Sequence, residues 1–246
     1  MRGTTSHERA PIAHRCEAAP YRSERQSISV AHGDDRFGNY VSVEVLMLGG
    51  EFHALTVSDR TKQLPPFREI GLLLPSSLPD ARTEAMVEAA RGAAEAVGAT
   101  DGPLHIEVMM TADGPVVIEV NGRVGGSIPY IFDEVTEVSL FREIAKIALG
   151  IEPRTSPAFD GHGGMFNYHA PGEGRVTRLD GVDAARELAG VRRLMVAVHE
   201  GDRASSMLGL LGGMIRAICA APTVEELFAI RDRVMETIIY EVEGDG

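Results

Sequence analysis

Apolar and polar residues alternate with a period of two along LHIEVMMTADGPVVIEV, residues 104 to 120, and a turn signal at Ala112-Asp113-Gly114 interrupts them. Successive side chains of a strand point to opposite faces, so the stretch reads as a β-hairpin. A three-residue loop with Gly114 in the left-handed conformation pairs Thr111 with Pro115, Met109 with Val117, Glu107 with Glu119 and His105 with Asn121. Ile106, Val108, Met110, Val116, Ile118 and Val120 then share one wholly apolar face. A two-residue loop at Asp113-Gly114 would set Glu107 against Val120 and mix polar with apolar on both faces, because a one-residue slip turns every side chain over.

The same reading extends along the chain. NYVSVEVLMLGGEFHALTVSDR, from Asn39 to Arg60, alternates around Gly49-Gly50 and predicts a second hairpin in which Glu44 faces Leu55. The stretch from Pro65 to Ser77 reads as a loop. Pro79 to Val97 predicts a helix with Met86, Ala90, Ala94 and Val97 on one face and Gly98 as its stop. Pro129 to Gly150 predicts another, with Leu140, Ile144, Ile147 and Ala148 as its stripe and Thr136 or Ser139 as cap. Residues 151 to 163 read as a linker. Beyond them come two short strands around Pro171-Gly172-Glu173-Gly174, a strand in Leu188 to Val198 and another in Gly213 to Ala220. The spacing Thr223-x-x-Glu226 is a capping box that opens a last helix. This order predicts an α+β fold with a mixed, largely antiparallel sheet and helices on one face. It divides into residues 39–150 and a small strand-rich lobe, 151–246. Residues 1–38, with six arginines, five acids, three histidines and no periodicity, read as disordered. His7, His14 and His32 lack metal-ligand spacing.

Composition narrows the partners. A formal charge of -12 argues against nucleic acid or an anionic membrane surface as partner. No apolar run reaches the length of a membrane span. Only Cys16 and Cys219 are present, which is no disulfide framework and fits a reducing cytoplasm. No apolar signal-peptide core is found near Met1.

The chemistry gathers at the first hairpin. Two glutamates directly opposite one another repel across a sheet unless a cation lies between them. Glu107, Glu119 and the amide oxygen of Asn121 form a hard-oxygen set suited to Mg²⁺, with Mn²⁺ as a substitute. Arg123 adds a planar fork for phosphate or carboxylate, and Gly125-Gly126 adds backbone that a ligand can approach closely. A solvated edge hairpin is the alternative for these residues.

The run from Glu107 to Gly126 resembles the metal-binding segment of the ATP-grasp ligases. The resemblance implies that Glu107, Glu119 and Asn121 hold magnesium bridging ATP phosphates, and that Arg123, Gly125 and Gly126 lie against the transferred phosphoryl group and a carboxylate substrate. It also implies a place beside the nucleotide cleft for Glu44. Lys62 becomes a phosphate contact and, with Arg123, a catalytic candidate; Glu69 becomes a third acid. Many amino-acid ligases of the family continue Glu-x-Gly-His, whereas Leu72 stands at the histidine position here. The family's lid, with its Gly-rich phosphate loop, has no recognisable counterpart in residues 1–38, which suggests truncation at the N-terminus. The expectation is a carboxylate–amine ligase working through an acyl phosphate, with a small carboxylate and an amine as substrates. The alternative is a non-catalytic module that binds metal or nucleotide and needs a second chain, or self-association, to complete the cleft.

Overall fold

The computed structural model describes residues 32–64 and 68–244. Residues 1–31, with His7, His14 and Cys16, and residues 65–67 lie outside the described part, so the disorder expected for the N-terminal segment is untested there. The first strand already begins at Phe37, before the expected boundary, and His32 stacks on its ring at 4.1 Å.

The two predicted hairpins are the start of one sheet. Strands β1 (Phe37–Leu48) and β2 (Glu51–Thr61) turn at Gly49 and Gly50, both with positive φ, and β4 (Gly102–Thr111) and β5 (Gly114–Asn121) form the second hairpin. Between them lie β3 (Gly71–Leu74) and helix α1 (Asp80–Ala96). Part of the stretch expected to be a loop is therefore β3, a fully buried central strand, because LLL has no polar face to offer solvent. The eight-stranded sheet runs β5-β4-β1-β2-β3-β6-β10-β8, with β6 (His162–Tyr168), β8 (Val191–Met195) and β10 (Ile215–Ala221) completing it. Every neighbouring pair is antiparallel, so the sheet is not mixed. The sheet also crosses residue 151 without a break, and only β7 (Gly174–Asp180), β9 (Arg203–Ala204) and β11 (Ile239–Glu243) form a second, three-stranded sheet.

Helices cover both faces rather than one. On one face α1 packs Met86, Ala90 and Ala94 against Val43, Val45 and Ile106, while α5 (Val224–Thr237) packs Leu227 and Ile230 against Leu73 and Ala217. The capping box that opens α5 is formed as expected. Val97, expected on the α1 stripe, is exposed as the residue after the helix. The helix expected from Pro129 to Gly150 is two, α2 (Ile128–Val135) and α3 (Leu140–Ala148), with Thr136 extended and its hydroxyl accepting from Val138 N between them. Strand alternation sends Leu46, Leu72, Leu74 and Met165 to the opposite face from α1 and α5, where they meet Ile128, Ile131 and Phe132 of α2. No described helix is long and apolar enough to cross a membrane.

Candidate active site

The face covered by α2 is apolar at one end only. Beyond it the same alternation delivers polar side chains: Ser42 and Glu44 from β1, Arg60 from β2, His105 and Glu107 from β4, Asn167 from β6 and Arg216 from β10. Glu44 pairs with Thr56 rather than with Leu55, because a bulge between Glu44 and Val45 adds a residue to β2.

Glu107 faces Glu119 and His105 faces Asn121, the register read from the sequence. The turn is different. Thr111 pairs with Gly114 and Met109 with Val116, so the loop has two residues, and a bulge at Ile118 restores the register on the glutamate side. The shift also exchanges faces: Val117 joins Val120, expected there, on the core, while Val116 and Ile118, expected inside, are 52% and 47% exposed.

Three charged side chains converge behind Glu107. His105 Nδ1 lies 2.8 Å from Glu44 Oε1, and its Nε2 lies 3.5 Å from Glu107 Oε1. Burial of His105 disfavours its charge, but hydrogen bonding to Glu107 and Glu44 outweighs burial and a nearby Arg60, pushing the imidazole up to about 9. The same hydrogen bond from His105 holds the Glu107 carboxyl below its usual range, against its partial burial. Arg60 Nη2 donates to Ser42 Oγ at 3.2 Å and to Glu107 Oε1 at 3.4 Å, and Nη1 pairs with Glu69. Burial works against the Arg60 charge, and Glu69 leads the carboxylates that outweigh it.

Of the predicted site residues, Glu44, Glu69 and Glu107 are brought together around Arg60 and His105. Glu119 and Asn121 stand on the neighbouring edge strand, where Asn121 Nδ2 donates to Glu119 Oε1 at 2.7 Å. Lys62 is exposed one residue past the end of β2. Arg123 is exposed and donates to Val124 O at 2.9 Å. Gly125 is buried: an added Cβ would meet His105 Nδ1 at 2.7 Å and Ile128 Cγ1 at 2.6 Å, whereas one at Gly126 would meet nothing within 4 Å. Gly126 is the glycine open to a ligand. Sequence reasoning missed Arg60, His105, Asn167 and Arg216 as site members. For His105 the signal was present, since it shares the face of Glu107 two residues away.

Residues 37–129 match the family model of the ATP-grasp domain. That segment fits the ATP-grasp superfamily. Human carnosine synthase 1 is similar at 33% identity over 51% of this chain and 16% of that protein. Dapdiamide A synthase of Enterobacter agglomerans is 30% identical over 60% of this chain and 37% of that protein. In fold, the chain is similar to an L-amino acid ligase from Bacillus licheniformis, with a TM-score of 0.73 and 23% identity over 84% of this chain and 52% of that one. The chain thus spans about half the length of this ligase and a smaller share of the curated relatives.

After Asp59 the buried Arg60 enters the floor, while Lys62 lies exposed beyond the end of β2. Leu72, at the position where many amino-acid ligases place histidine, is buried with Met165 and Ile128 beneath α2. Among the described residues no three His, Cys, Asp or Glu side chains gather as a metal cluster. The two carboxylates and one amide at the β4–β5 edge still fit Mg²⁺, which takes few protein ligands and keeps water or phosphate oxygens for the rest.

Proposed function

We propose that this chain forms the metal and acyl-phosphate side of an ATP-dependent carboxylate–amine ligase acting on a small carboxylate and an amine. The observation that carries the reading is Glu107 directly facing Glu119 at an exposed sheet edge, with Asn121, Arg123 and the open Gly126 following on one loop. Glu107, Glu119 and Asn121 would hold Mg²⁺, which when bound would neutralise phosphate charge during transfer. His105 and Arg60 fix the Glu107 carboxylate from behind, so that it is ionised and oriented before any ligand arrives. Arg123 offers donors to charge that develops on the transferred group, and Gly126 leaves backbone open beside it. Glu44 acts through His105 instead of touching the nucleotide itself. A cytoplasmic setting belongs to the same proposal.

The test is calorimetry of the purified chain with Mg-ATP at millimolar concentration, together with ADP release in the presence of mixed L-amino acids. Heat of binding and amino-acid-dependent ADP release are expected; absence of both would overturn the reading. A second reading concerns how the cleft is completed. In it the chain is a subunit or binding module whose cleft another chain completes, and heat with Mg-ATP without ADP release would favour it.

A further inference from the structure

Arg216 differs from every other arginine of the floor in what holds it. Its Nε donates to Asn167 Oδ1 at 2.9 Å and its Nη1 to Ser127 Oγ at 3.4 Å, both neutral partners. No carboxylate among the described residues lies within ion-pair distance of it. Arg60, by contrast, is engaged by Glu69 and Glu107. Burial lowers the Arg216 pKa, opposed only by the more distant Glu69, as expected for a cation whose charge has no close counterpart.

The position is as informative as the partners. Asn167, which orients the guanidinium, is itself buried and anchored by Nδ2 donating to Glu69 O at 3.1 Å. Ser127, also buried, follows Gly125 and Gly126 on the loop from Arg123. Contacts therefore form a circuit on one sheet face, polar from Glu107 through Arg60, Glu69 and Asn167 to Arg216 and Ser127, and closed by the packing of Gly125 against His105. Arg216 sits on the far side of that circuit from the metal edge, on β10 rather than β4.

We propose that Arg216, held by Asn167 and Ser127, is the anchor for a substrate carboxylate that does not react. A guanidinium fixed along one edge presents its remaining N–H donors as a planar fork, the geometry that takes a carboxylate with two bonds. In a carboxylate–amine ligase the reacting carboxylate loses its charge on forming the acyl phosphate and then the amide. A second carboxylate, carried by an α-amino acid serving as the amine, keeps its charge throughout and fits a site away from the phosphates. The occupant rests on the ligase reading above; the preference for an anion is measurable without ATP.

The experiment titrates the full chain by NMR with a panel of L-amino acids and their matched carboxamides. The wild type should prefer acids over amides, and Arg216→Met should weaken acid binding at least about tenfold, the size expected for lost charge-assisted bonds. Amide binding, Mn²⁺ affinity and Mg-ATP binding should be unchanged, and Arg216→Lys should fall between. The proposal is overturned if the wild type shows no preference for acids, if folded Arg216→Met retains it, or if that variant loses Mg-ATP instead. Should Arg216→Met fail to fold, the wild-type preference and Arg216→Lys decide the matter. Acid preference without any ATP turnover would reject the ligase reading alone, and turnover without acid preference would reject this site alone.

Discussion

His105 Nδ1 lies 2.8 Å from Glu44 Oε1 deep in the sheet, and the imidazole's other nitrogen faces Glu107. Hydrogen bonding to the two carboxylates favours the charged imidazole, against burial and against Arg60 Nη2 at 3.1 Å from its Nε2, and this balance ties the stability of the fold to pH. With the pKa of His105 pushed from 6.5 up to about 9, its contribution is fully present below the unfolded value and is lost as pH rises toward the folded one. Urea denaturation from pH 6.5 to 8.5 should show stability falling by up to about 1.4 kcal/mol per pH unit, the slope of one proton. His105→Gln should flatten that slope. The upper bound keeps the unfolded chain's thiols from dominating, since buried Cys219 is itself pushed up to about 12. A wild-type profile flat over this range would remove the charged-imidazole interpretation.

Gly125 and Gly126 adjoin in sequence and differ in what surrounds them. Gly125→Ala would drive a methyl group into His105 and Ile128, at 2.7 and 2.6 Å, both of them packed side chains. A loss of about 1–3 kcal/mol is expected, as for overpacking elsewhere. Gly126→Ala meets nothing within 4 Å and should change stability by less than about 0.5 kcal/mol, while impairing Mg-ATP binding. Thermal melts of the two variants check the first pair of values. Equal melting temperatures would contradict the packing role given to Gly125.

The register at Glu107 and Glu119 was legible in the sequence because alternation around one turn leaves few ways to bury an apolar face. The bulge at Ile118 was not. A two-residue loop plus one extra residue gives the same pairing at the glutamates as a three-residue loop without a bulge, and only the exposure of Val116 and Ile118 separates them. Helix α5 was legible through its capping box, whereas the break at Thr136 hides inside an apolar pattern that suits one long helix. Arg60, Asn167 and Arg216 were invisible for a different reason. They come from strands far apart in the chain, and it is the sheet order, with β3 inserted between β2 and β6, that brings them together.

Glu107→Gln separates the metal role from the structural one. The amide keeps an oxygen that can accept from Arg60 Nη2, now 3.4 Å away, while losing the charge opposite Glu119. Mn²⁺ binding, followed by the paramagnetic relaxation of water, should weaken at least about tenfold, as loss of a charged ligand implies. The melting temperature should fall as well, because the same charge pairs with His105 and Arg60, but the variant should still fold. Metal affinity equal to wild type would take Glu107 out of the ligand set, and global unfolding would make its role structural.

Arg60 carries the largest predicted stability effect. Its side chain is buried and serves Glu69, Glu107 and Ser42 together, so Arg60→Met takes the cation from Glu69 and leaves Glu107 with His105. Removing one partner of a buried charge cluster costs about 3–5 kcal/mol, far more than an exposed ion pair contributes. Arg60→Lys retains the charge but lacks the planar fork that reaches three partners at once, and should lose about 1 kcal/mol per bond not remade. The double variant Arg60→Met/Glu69→Gln should recover part of the loss, because it removes one of the stranded charges, and the shortfall from additivity measures their coupling. Urea denaturation gives all three values. If Arg60→Met stays within about 0.5 kcal/mol of wild type, as a surface substitution would, the cluster is not held by Arg60, and the preset orientation of Glu107 at the metal edge loses its physical basis.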